Sequence, residues 1–95
     1  MPAIATEESL CSGHDGFPPR QAIEGQPLFV VNGVPVHCEG MAWQLHAKPD
    51  NPPHGGVGIG SMPFTVNGAP VCVEGDPVSC GSVIVTGDGT FQIKG

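Results

Sequence analysis

The residues of this 95-residue chain best suited to chemistry are its four histidines and four cysteines, and several of them recur at matching places. His14-Asp15-Gly16, His54-Gly55-Gly56 and Cys80-Gly81-Ser82 stand 15, 10 and 11 residues before Phe29, Phe64 and Phe91. His46 follows Gly40 by six positions, much as Cys80 follows Gly75 by five. His14, His46, His54 and Cys80 thus form a candidate set of three imidazoles and one thiolate. That set suits tetrahedral Zn2+, with expected bonds of about 2.0 to 2.3 Å. Four protein ligands leave no position for a reactive water, so the site would be structural, contributing an apparent ~10 to 16 kcal/mol at neutral pH. Iron is the alternative ion. His37 and Cys72 are expected to project from strands, outside the ligand set, and Cys11 and Cys38 read as small apolar fillers.

Residues so far apart along the chain need a scaffold that gathers them, and an internal repeat supplies one. Residues 29–40 (FVVNGVPVHCEG) match residues 64–75 (FTVNGAPVCVEG) at eight of twelve positions, at a constant offset of 35. A shortened third copy, Phe91-Gln92-Ile93-Lys94-Gly95, ends the sequence. Self-similarity at a fixed period marks repeat architecture. Asn32-Gly33 and Asn67-Gly68 lie between β-branched runs and predict two-residue hairpins. No segment carries a helical period, although residues 40–46 could make a single turn. The expected fold is therefore all-β: one domain over residues 1–95, with hairpin-like repeats at roughly 11–40, 46–75 and 80–95. Three such units around an axis would bring equivalent loops, and the candidate ligands, to one end.

Composition excludes several functions. Net charge is −6, with only Arg20, Lys48 and Lys94 as strong cations, so the basic footprint of a nucleic-acid or anionic-membrane surface is missing. The first residues lack a basic start followed by an apolar run, which predicts synthesis in the cytoplasm. Four cysteines allow three disulfide pairings, but a cytosolic chain with four histidines favours metal ligation. A disulfide-stabilised binding module remains the alternative that free-thiol counting would separate. A zinc hydrolase with Asp15 or Asp76 as base fits less well, since four ligands close the metal. These two carboxylates more naturally order turns. Ser79 and Ser82 have no histidine partner at a recognisable spacing, and Gly56-x-Gly58-x-Gly60 lacks the lysine and helix of a phosphate loop. Those glycines read as turn and edge-strand positions.

Val66-Asn67-Gly68, the stretch Gly75-Asp76-Pro77-Val78-Ser79-Cys80, and Gly13-His14-Asp15-Gly16-Phe17-Pro18-Pro19-Arg20 together resemble the PAAR-repeat family, in its compact phage-tail and prophage branch. The resemblance covers roughly residues 11 to 95. It implies a short β cone with pseudo-threefold symmetry and a structural zinc at the apex, held by His14, His46, His54 and Cys80. It also implies a non-enzymatic role: a monomeric tip that caps a trimeric VgrG-like or phage spike through its base and leads it through an envelope. Assembly at the spike tip would carry it out of the cell or with the virion, and any effector cargo would be a separate protein. Val34, Val36, Val71, Val73 and Ile93 are candidates for the spike-facing base, core packing being their more ordinary role. The family's Gly-Asp pair is intact only at Gly75-Asp76; Gly40-Met41 and Thr6-Glu7-Glu8 replace it elsewhere, which leaves His37 as an alternative to His46.

Overall fold

Two Asn-Gly turns set the visible hairpins. Asn32 and Asn67 have φ of 51° and 52°, and Gly33 and Gly68 have 81° and 83°, the paired positive values of a type I′ turn. The first turn joins β2 (Gln26–Val31) to β3 (Val34–Val36), and the second joins β4 (Thr65–Val66) to β5 (Ala69–Pro70). Both pairs are antiparallel. The structure, a computed structural model, describes residues 3–13, 16–45, 55–60 and 63–92. Among the described residues there is no helix, in keeping with a small all-β fold. The possible turn of helix near residue 42 is instead extended: Ala42 bridges Val57, and Trp43 bridges Ala22.

The third copy of the repeat is completed from the other end of the chain. β6 (Asp88–Gln92) pairs antiparallel with β1 (Ala3–Ile4), setting Ala3 opposite Gln92. Residues 3–7 thereby take the place that residues 35–39 and 70–74 hold in the two complete hairpins. Hydrogen bonds show the equivalence. Ala5 N–H donates to the Cys72 carbonyl, Cys72 N–H to His37 and His37 N–H to Ala5, each at 2.9 Å, so the three bonds close a ring. A second ring runs from Glu7 to Pro35 at 3.0 Å, Glu39 to Pro70 at 2.8 Å and Glu74 to Ala3 at 2.9 Å. The bridges Ile4 to Val73, Thr6 to Val36 and Cys38 to Val71 repeat the cycle. Strands of two or three residues persist here because each exposed edge is covered by the next segment.

One turn recurs in all three segments with different side chains. The N–H of Thr6 donates to Ser9 Oγ at 2.9 Å, that of Cys38 to Met41 Sδ at 3.3 Å and that of Val73 to Asp76 Oδ2 at 3.0 Å. Asp76 thus orders its turn as its position beside glycine predicts. Met41, despite lacking a carboxylate, fills the same acceptor role.

Alternating residues of the ring strands feed two clusters, as the period of a strand requires. Ile4, Val31, Val36, Cys38, Val71 and Val73 form one, with Phe29 and Phe64 packed against it. Ala5, Cys11, Ala22, Trp43, Cys72, Val78 and Ile84 form the other. Val36, Val71 and Val73 are therefore core residues and not part of a docking base, and Cys11 and Cys38 are the buried fillers their type suggests. His37 and Cys72 correct the sequence reading: both are fully buried where projection from the hairpin was expected. The alternation argument assumes one solvated face, whereas the ring covers both. Gly56, Gly58 and Gly60 carry a further constraint. A methyl on them would meet Val78 Cγ1 at 2.9 Å, His37 Nε2 at 2.8 Å and Pro70 Cβ at 2.9 Å. They are close-approach positions where backbone packs directly on a neighbouring segment.

Candidate metal centre

Of the four candidate ligands, Cys80 alone falls within the described residues; His14, His46 and His54 lie outside them. Among the described residues no three His, Cys, Asp or Glu side chains gather into a metal-sized group. The ends of the loops that carry the candidates are described, and they are tied to one another.

Each loop leaves the scaffold at a reciprocal clamp. Ser12 N–H donates to the Val83 carbonyl at 2.8 Å, while Val83 N–H donates to Ser12 Oγ at 3.1 Å. Ser79 N–H donates to the Val57 carbonyl at 2.8 Å, and Val57 N–H returns to Ser79 Oγ at 2.9 Å. Gln44 N–H donates to the Gln21 carbonyl at 3.0 Å, and Gln21 N–H reaches Gln44 Oε1 at 3.4 Å. The three clamps form another cycle through the three segments. In sequence, His14 and His46 each stand two residues past a clamp residue and Cys80 stands one past Ser79. His54 stands two residues before Gly56, whose carbonyl accepts the Trp43 N–H at 2.9 Å.

Further contacts cross between these loop ends. Arg20 Nε–H donates to the Leu45 carbonyl at 3.1 Å, joining the first loop to the second. A methyl on Gly56 would meet Cys80 Cβ at 3.2 Å, so the second loop passes directly beside the thiol of the third. Cys80 is half-buried, and its Sγ–H donates to Ser82 Oγ at 3.7 Å. As a ligand Cys80 would act in its thiolate form. Ser12, Ser79 and Gln44 were not singled out as functional from sequence; their place one or two residues before a candidate ligand was the available signal.

His37 faces the interior. Its Nδ1–H donates to the Glu24 carbonyl at 2.9 Å, and its ring meets Trp43 edge-on at 5.2 Å between centroids. Burial lowers its pKa, with the Glu24 carbonyl and carboxylate pulling the other way. Burial likewise raises the Cys38 thiol and pushes the Cys72 thiol up to about 12, the latter helped by the nearby charges of Asp76, Cys38 and Glu39. A cavity of roughly 300 Å³ lies elsewhere, lined by Thr6, Glu8, Ser9, Val34 and residues 86–89; it holds neither histidine nor cysteine.

A helix-free β scaffold whose short segments are hydrogen-bonded in rings, and whose loops leave through matched clamps, defines a small repeat-built structural protein. The chain belongs to the PAAR motif family, whose profile matches residues 12–86 of the 95. That family supplies the tip proteins of contractile injection systems, a structural class that sits on spike proteins. Comparison with curated proteins found no match. No helix among the described residues is long and apolar enough to cross a membrane.

Proposed function

We propose that this chain is a metal-stabilised, non-catalytic tip that caps and sharpens the trimeric spike of a phage tail or type VI secretion system and helps it pierce the target envelope. The observation that carries the reading is the cycle of clamps at the loop ends, which ties together the three segments bearing His14, His46 with His54, and Cys80. In this reading the hydrogen-bond rings mark a pseudo-threefold axis, and the loops meet on it at the apex of a cone. Those four side chains hold one zinc or iron ion there, which removes the freedom that loop tips ordinarily keep.

The hairpin end forms the base. Leu28 and Val30 are 73% and 46% exposed on β2, an apolar surface that seating on the spike would cover. A pseudo-threefold monomer offers each chain of a trimer a similar face, so one copy caps one spike. The assembled tip leaves the cell with its spike.

Elemental analysis of the purified chain tests the metal. One zinc or iron per chain is expected, lost in Cys80→Ser together with most of the thermal stability; a metal-free chain of equal stability would overturn the reading. Titration against a trimeric spike tests the base. One chain per trimer is expected, with Leu28→Asp weakening the complex at unchanged metal content, and the absence of any complex with the wild-type chain would refute the capping role.

A further inference from the structure

We infer that His37 Nε2 and Cys72 Sγ form a second, interior site for a soft monovalent cation of the copper(I) or silver(I) class. The inference is independent of the proposed apical ion. His37 is fully buried, and its Nδ1 is committed as a donor to the Glu24 carbonyl at 2.9 Å, which leaves the lone pair on Nε2. That lone pair has no hydrogen-bond partner among the described residues. Cys72 is also fully buried. Both atoms converge on Gly58: a Cβ there would lie 2.8 Å from His37 Nε2 and 2.9 Å from Cys72 Sγ, too close for any side chain. Glycine at residue 58 lets both donors close on the same stretch of backbone, and the ring of hydrogen bonds through residues 37 and 72 fixes both ligand backbones.

The donors select the class of ion. Thiolate with imidazole suits soft d10 cations, and two donors suffice for those that accept linear coordination. Charge balance favours a monovalent ion in so dry a place. On binding, the Cys72 S–H bond gives way to an S–metal bond and the proton leaves to solvent. Thiolate and monovalent cation then sum to zero, whereas Zn2+ would strand an uncompensated positive charge. Without metal the raised thiol pKa keeps Cys72 neutral, so the empty site also carries no buried charge. The third ring position, Ala5, contributes no donor.

The test uses the full chain, supplied with excess zinc and titrated anaerobically with silver(I) in chloride-free buffer. Nitrogen chemical shifts of 15N-labelled histidine and proton release are followed together. One equivalent of silver should shift His37 Nε2 and release one proton per ion. Cys72→Ala should abolish both signals; it is expected to fold, because alanine already occupies the equivalent ring position at Ala5. His37→Gln should abolish the same equivalent. A His37 Nε2 shift that persists in Cys72→Ala, or that is absent from the wild-type chain, would overturn the assignment.

Discussion

Replacing Gly58 with alanine isolates the packing of the ring. Gly58 does not adopt a positive φ, so the substitution introduces no backbone strain and its cost is steric. The new methyl would sit 2.8 Å from His37 Nε2, 2.9 Å from Cys72 Sγ and 3.0 Å from His37 Cδ2. Neither neighbour is a flexible side-chain end. His37 is tethered through Nδ1 to Glu24 and packed against Trp43, and Cys72 is fully buried on a ring strand. Overpacking of this kind costs about 1 to 3 kcal/mol. The reduced freedom of the unfolded chain returns about 0.4 to 1 kcal/mol. A net loss of about 1 to 2 kcal/mol is expected, and with roughly 4 to 8 °C per kcal/mol for a domain of this size it should be plain in a melting curve at fixed metal concentration. The same change in a His37→Ala background keeps only the Cys72 Sγ contact and should cost less. An unchanged Tm for Gly58→Ala, or an equal penalty in both backgrounds, would refute the claim that His37 and Gly58 share one space.

Asp76→Ala removes the acceptor of the buried Val73 N–H and should cost about 1 to 3 kcal/mol in chemical denaturation; Asp76→Asn should recover part of it. Gly33→Ala meets no atom within 4 Å but carries a φ of 81°, so its cost of about 1 to 2 kcal/mol is conformational, and Gly33→Asn should be milder in the same assay. For His37 the folded pKa lies below the unfolded value of about 6.5, so the unfolded chain binds the proton first as pH falls. Its contribution is complete above pH ~6.5 and declines below it at up to about 1.4 kcal/mol per pH unit, until the folded pKa is reached. Stability measured against pH should therefore fall more steeply in acid for the wild type than for His37→Gln, and parallel curves would remove His37 as the source.

The two complete hairpins were legible because Asn-Gly between β-branched runs leaves the backbone few alternatives. The third was only half legible. Its strands come from Asp88–Gln92 and Ala3–Ile4, so no local turn announces them, and residues 3–7 share with residues 35–39 and 70–74 little beyond the glutamates Glu7, Glu39 and Glu74. The backbone rings that prove the match leave almost no trace in side-chain identity. The burial of His37 and Cys72 was missed for a related reason: alternation along a strand predicts an exposed face only when nothing packs on it, and here backbone from a distant glycine does. The candidate ligands were legible as residue types, while the Ser12, Gln44 and Ser79 clamps beside them were not, because a lone serine or glutamine between strands resembles ordinary loop.

The turn shared by Ser9, Met41 and Asp76 indicates what the scaffold demands of its sequence. A hydroxyl, a thioether and a carboxylate each accept the N–H three residues earlier, at 2.9, 3.3 and 3.0 Å, so the fixed requirement is a backbone donor needing an acceptor. A thioether is a weak acceptor, yet Met41 also packs against the core cluster of Val36 and Val71, which offsets the poorer bond with apolar burial. The departure at Gly40-Met41 therefore leaves the chain entering Ala42 through the same turn that leads from Asp76 into Pro77. From there both segments continue into equivalent bridges, Ala42 with Val57 and Pro77 with Val83, and then to the Gln44 and Ser79 clamps. A tip built this way rests on backbone rings that tolerate varied side chains, so under the proposed function the positions just beyond the clamps are the ones whose residue types would answer to a metal.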